Sequence, residues 1–158
     1  MMNRLGTYKT STFSLLMAVA ALAPCQTQAS DRAVIEVRGE SDAEVMWFRP
    51  NAVVFTNRDY RLSKLPEDLA GEKFLRSSID STEFDVVQGG RLIVATPHRI
   101  DGAASQVETL EAKGFAKMQE QAFQLFGSKE IDRVLVYEKQ ATSGESYRLG
   151  KWAVVLGF

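Results

Sequence analysis

The chain has 158 residues, 45% of them hydrophobic and 25% charged, with 19 Lys plus Arg against 20 Asp plus Glu, one His and one Cys. That is enough chain for one domain with a sizeable core. The near-neutral balance, with no block of like charge, argues against nucleic acid or anionic lipid as a partner, because both need a concentrated basic surface.

Read from the start, residues 1–9 carry Arg4 and Lys9 and no acid, residues 13–23 form an apolar run, and Thr27-Gln28-Ala29 offers small residues before a cleavage point. This is the three-part pattern of a secretory signal peptide. An apolar run of about 11 residues is too short for a membrane-spanning helix, which needs about 20. Cleavage after Ala23 would leave Pro24 next, so Ala29 is the better site, and Pro24 is a poor residue before the Cys25 of a lipoprotein signal. The expectation is a leader over 1–29 and a single exported domain over 30–158, in the periplasm or outside the cell, with no membrane span once the leader is gone. Removing Arg4 and Lys9 leaves 17 basic against 20 acidic residues, a net charge of −3, and no cysteine. Disulfides, thiol chemistry and Cys-ligated metals then have no material, so the fold is held by its core alone.

The remainder reads as short β-branched and aromatic runs separated by turn residues. Strands are predicted over 33–38, with Ala33, Ile35 and Val37 on one face, then 44–48, stopped by Pro50. Next come 52–56, with Val53 and Phe55 facing together, and 73–79, 84–87 and 91–96. Val87-Gln88-Gly89-Gly90-Arg91 reads as a hairpin whose glycines supply positive φ. Further strands are expected over 123–126, 133–139, 147–149 and 151–156, with a turn at Ser143-Gly144. One helix interrupts them. Ser105 and Glu108 make a capping-box pattern, Val107 and Leu110 share a face, and Gly114 suits the position past the end. Evenly spaced short strands and a single helix predict an all-β domain, a mostly antiparallel β-sandwich of jelly-roll or Ig-like type with one short helix.

Few residues carry catalytic chemistry. His98 follows a strand without a second His or any Cys, so it reads as a surface residue, and no catalytic residue is assigned. Asp59, Asp80, Glu83, Asp85 and Asp101 lie in or near loops. A glycosidase pair needs two carboxylates about 5 or 6.5–9.5 Å apart across a cleft, a separation that sequence does not show. Asp80, Glu83 and Asp85 are the acids that would collect a calcium ion, but their spacing matches no defined calcium loop, and no metal or cofactor is assigned. The aromatic residues Trp47, Phe48, Phe55, Tyr60, Tyr137, Tyr147 and Trp152 lie on or beside strands, where burial in the core is the ordinary role. An exposed one stacks on the apolar face of a sugar. In Asn57-Arg58-Asp59-Tyr60-Arg61, planar polar donors, a carboxylate and an aromatic ring come together, so Arg58, Asp59, Tyr60 and Arg61 are the predicted ligand-binding residues.

Phe55-Thr56-Asn57-Arg58-Asp59-Tyr60 and Leu65-Pro66-Glu67-Asp68-Leu69-Ala70-Gly71-Glu72-Lys73-Phe74 resemble an accessory module of secreted planctomycete-type bacterial proteins. Gly90-Arg91-Leu92-Ile93-Val94-Ala95-Thr96-Pro97, Lys113-Gly114-Phe115, Val136-Tyr137-Glu138-Lys139 and Gly144-Glu145-Ser146-Tyr147-Arg148-Leu149-Gly150-Lys151-Trp152 are similar to it as well. The resemblance implies a β-sandwich of the kind attached to exported carbohydrate-active enzymes and sulfatases, and it supplies no catalytic residue. The function expected is non-catalytic binding of a glycan or polysaccharide. The alternatives are a structural module that docks on an envelope protein and, below it, a small hydrolase.

Overall fold

A computed structural model of the chain describes residues 31–63, 66–69, 71–98, 106–118 and 134–158. The predicted leader, the strand over 123–126, Ser105 and Asp101 lie outside these residues.

The described residues form nine strands and one helix: β1 (Val34–Val37), β2 (Glu44–Trp47), β3 (Lys73–Arg76), β4 (Thr82–Gln88), β5 (Gly90–Pro97), α1 (Val107–Ala112), β6 (Ala116–Lys117), β7 (Val134–Ala141), β8 (Ser146–Leu149) and β9 (Val154–Leu156). They pair antiparallel into a three-stranded sheet, β1-β4-β8, and a six-stranded sheet, β2-β3-β9-β5-β7-β6. The sheets stack as a sandwich, as the periodicity predicts.

The central strands of the six-stranded sheet are buried on both faces. Leu92, Val94, Leu135, Tyr137 and Val155 pack against Phe84, Val86, Tyr147 and Leu149 of the smaller sheet, with Leu110 of α1 and Phe115 joining them. On the opposite face Ile93, Ala95, Val134, Val136, Val154 and Leu156 meet Phe48, Ala52, Val54, Phe55, Leu62 and Leu69. Period-2 alternation therefore feeds two cores, and the central strand reads as an unbroken apolar run, Leu92-Ile93-Val94-Ala95, with every residue fully buried.

The layer over that second face comes from the segment predicted as a strand over 52–56. That expectation is corrected: no strand forms there, and Val53 is half-exposed while Val54 and Phe55 are buried. Pro50 has no N–H to donate, and Asn51 takes a left-handed conformation (φ 66°), which Asn tolerates better than most residues. The chain turns over the sheet and meets it by a single backbone bridge, Phe55 to Ser77 just past β3, with Thr56 N–H donating to the Ser77 carbonyl (2.9 Å). Asn51 N–H donates to the Leu62 carbonyl (2.8 Å), Leu62 N–H to Ala52 (3.0 Å) and Val54 N–H to Tyr60 (2.9 Å), closing a narrow loop whose backbone groups satisfy one another.

The double glycine is also corrected. β4 and β5 belong to different sheets, so Gly89-Gly90 carries a switch between layers, and neither glycine has a positive φ. Space is what these positions demand. A Cβ on Gly90 would lie 2.3 Å from the Arg32 carbonyl carbon, and one on Gly89 would lie 2.9 Å from the Ala141 carbonyl oxygen. The incoming chain bonds to β5 at this point, with Arg91 N–H donating to Asp31 (2.8 Å) and Ala33 N–H to Arg91 (3.0 Å). α1 is shorter than expected. Its N-cap is Gln106, without a side-chain cap bond; the expected Ser105–Glu108 box involves a residue outside those described. Gln106 Oε1 accepts instead from Gly150 N–H (3.0 Å). Gly114 does sit past the helix end with φ 81°.

Candidate functional site

The covering loop carries the candidate site. Two grooves adjoin along its outer surface, sharing Val53 and Arg76. One, of about 530 Å³, is lined by Met46, Arg49, Pro50, Asn51, Ala52 and Arg61 as well. The other, of about 320 Å³, adds Phe55, Thr56, Asn57, Arg58 and Asp59. Three of the four predicted ligand-binding residues therefore line the trench: Arg58 and Asp59 in one groove, Arg61 in the other. The floor is apolar and the rim is guanidinium, amide and carboxylate.

The rim groups are held by local bonds. Arg61 Nη2 pairs with Asp59 Oδ1 at 2.9 Å, both exposed, a contact worth little stability. Arg61 Nη1 donates to the Asn51 carbonyl (3.3 Å) and Arg58 Nη1 to the Asn57 carbonyl (2.8 Å). Arg76, on β3, pairs with Glu44 of β2 and donates to the Phe55 carbonyl (3.3 Å). Asn57 is exposed but tied to the neighbouring segment: its Oδ1 accepts from Ile79 N–H (3.0 Å), and its Nδ2 donates to Ser78 Oγ and Asp80 Oδ2, both at 3.1 Å.

The fourth predicted residue, Tyr60, is half-buried beneath the loop. Its ring meets Trp152 edge-on at 4.9 Å between centroids and Phe55 at 6.3 Å, and Phe55 and Trp152 lie 6.0 Å apart. Trp152, at φ 68°, is drawn in by its N–H bond to the Ile79 carbonyl (3.0 Å). The ring trio underpins the loop that presents Arg58, Asp59 and Arg61. Among the described aromatic residues Trp47 is the exposed one, at 56%, on edge strand β2 with Lys73 Nζ 5.7 Å from its ring centroid. Phe48, Phe55, Tyr137 and Tyr147 are core residues.

The other acids are occupied separately. Asp80 accepts from Asn57, Glu83 pairs with Arg148 (3.1 Å), and Asp85 pairs with Arg38 and accepts from Ser146 Oγ at 2.5 Å. The Ser146 hydroxyl, then Arg38, lower the Asp85 carboxyl below its ordinary value against the effect of desolvation. Among the described residues no cluster of His, Cys, Asp and Glu has the arrangement of a metal site. His98 is exposed at the end of β5.

A second polar cluster, missed by sequence reasoning, bridges the β7–β8 turn. Lys139 Nζ donates to Glu145 Oε1 (2.9 Å) and Tyr147 Oη (3.1 Å), and the Tyr147 hydroxyl bonds Glu145. Lys113 Nζ lies 5.5 Å over the Tyr147 ring. Burial pushes the Tyr147 hydroxyl up, and the Tyr147 hydrogen bond, joined by Lys139, brings the Glu145 carboxyl down. Alternation places Lys139 and Tyr147 on their strands, but nothing local in the sequence announces that the two strands lie in different sheets.

No protein-family model and no curated protein sequence matches the chain. Solved structures do. A β-glucuronidase from glycoside hydrolase family 2 superposes with a TM-score of 0.53 at 13% identity, over 77% of this chain and 14% of the enzyme. A glycoside hydrolase family 138 enzyme targeting pectin rhamnogalacturonan II superposes with a TM-score of 0.53 at 13% identity, over 80% of this chain and 16% of that one. The β-rich fold is thus shared with a small part of two carbohydrate-active enzymes. At that identity the likeness is one of fold.

Proposed function

We propose that the protein is an exported, non-catalytic glycan-binding module that holds its ligand in the trench flanked by Arg58, Asp59 and Arg61, with Tyr60 supporting the loop from beneath. The observation that carries the reading is the lining itself. An apolar floor of Met46, Pro50, Ala52 and Val53 offers a surface for the C–H face of a sugar, and a rim of Arg49, Asn51, Arg58, Asp59, Arg61 and Arg76 offers hydrogen bonds to its substituents. The glycoside hydrolase neighbours, one a β-glucuronidase and one targeting pectin, supply a consistent context. Binding without hydrolysis is favoured because Asp59 is the single carboxylate among the described lining residues, whereas glycosidases use a pair. Export rests on the basic, apolar and small-residue pattern of residues 1–29.

The test is a glycan-array and soluble-polysaccharide screen of the purified protein. Specific binding is expected, and Arg58→Ala with Arg61→Ala weakens it by about tenfold or more, equivalent to ~1.4 kcal/mol. Absence of binding by a sample with an intact thermal transition overturns the reading. A second reading, docking on an envelope protein, is favoured by Val45 and Trp47, exposed on β2 at 55% and 56%.

A further inference from the structure

We infer that the ligand of this trench is an acidic polysaccharide, one that carries carboxylate or sulfate groups along its chain. The inference rests on the glycan-binding reading and narrows it to a chemical class.

The chain as a whole has more acids than bases, 20 against 19. The trench inverts that balance. Arg49, Arg58, Arg61 and Arg76 line it, and Asp59 is the single acid among the described lining residues. Two of the guanidinium charges are offset, Arg61 by Asp59 and Arg76 by Glu44. Arg49 and Arg58 have no acidic partner among the described residues, and both are exposed. A protein whose overall charge is slightly negative thus concentrates positive charge in one concave strip, where low-dielectric walls focus the field.

Hydrogen-bond chemistry points the same way. Neutral sugar hydroxyls both donate and accept, so a site for them mixes donors and acceptors. Guanidinium groups donate only, and their planar fork matches two carboxylate or sulfate oxygens. The acceptors nearby are partly engaged: Asn57 Oδ1 takes the Ile79 N–H, the Asn51 carbonyl takes Arg61, and one oxygen of the exposed Asp59 carboxylate is held by Arg61. The lining offers donors in excess to a ligand that brings acceptors in excess. Four guanidinium groups spread along two joined grooves suit charges repeated along a polymer better than a single small anion.

The experiment compares binding of polygalacturonate and chondroitin sulfate with neutral dextran and xylan, and with polyglutamate as a polyanion that is not a sugar. Acidic polysaccharides are expected to bind at least about tenfold tighter than neutral ones, and added salt weakens them as it screens the exposed charges. Arg49→Gln with Arg58→Gln, which keeps planar amides but removes both unpaired charges, lowers acidic-polysaccharide affinity by about tenfold, with Arg58→Lys intermediate because it keeps charge and loses the fork. Equal binding of dextran or xylan overturns the acidic assignment and leaves the glycan reading standing. Polyglutamate binding as tight as polygalacturonate overturns it as well, since charge without a sugar then suffices. Silence toward every polymer by folded protein overturns both readings.

Discussion

Asn57 shows how a residue that looks like part of a binding surface serves the scaffold instead. Its carboxamide commits three hydrogen bonds to residues 78–80, so the loop bearing Arg58, Asp59 and Arg61 is pinned to the segment that follows β3. Asn57→Ala leaves the Ile79 N–H without its acceptor, and a loss of about 1–3 kcal/mol is expected from the stranded donor, read as a lower urea midpoint with unchanged slope. An unchanged midpoint would show that water replaces the carboxamide. In the sequence the stretch 57–61 stands out as polar and aromatic, and it does lie at the trench. Arg49 and Arg76 were not legible as its neighbours, because their convergence depends on the loop folding over β3. Tyr60 was legible as aromatic but not as a strut beneath the loop, since its contact with Trp152 spans most of the domain.

At the scale of elements, the short connections carry the polar chemistry that joins the sheets. The β7–β8 turn leaves the large sheet and enters the small one, and Glu145 ties it down by accepting from Lys139, the Tyr147 hydroxyl and the Thr142 N–H (3.3 Å). Because Glu145 titrates below its ordinary 4.5 in the folded protein, its contribution is present in full above that value and disappears as pH falls through the lowered one. Glu145→Gln is therefore expected to be less stable than the wild type near neutrality, with the two stabilities converging in acid. Chemical denaturation across the acid range checks this, and a gap that stays constant with pH would assign the loss to packing. Strand positions in this region were legible from alternation, and so was Gly144 as a turn residue. The assignment of strands to sheets was not. A double glycine signals a change of direction, and sequence does not reveal whether it serves torsion or, as at Gly90, the approach of another backbone.

For the whole molecule, the consequence of three layers is that residues outside regular structure are as structural as those within it. Leu62 belongs to no strand, yet it is 1% exposed and packs with Phe74, Ile93 and Leu156 in the second core. Leu62→Ala is expected to cost about 2–4 kcal/mol, as for a core leucine, and to lower a single thermal transition. Two resolved transitions would mean that the loop layer unfolds independently of the sheets. The sandwich class was legible because strand periodicity is local. The third layer was not, because the apolar residues of 48–69 read equally well as another strand until Asn51 turns the chain back. The doubly covered β5 has a consequence for how the protein breathes. Its amides, bonded to β7 and β9 and roofed on both faces, are expected to exchange their protons with solvent only when the domain opens as a whole. Hydrogen exchange at the centre of that strand therefore keeps time with global unfolding and reads the stability of the whole domain.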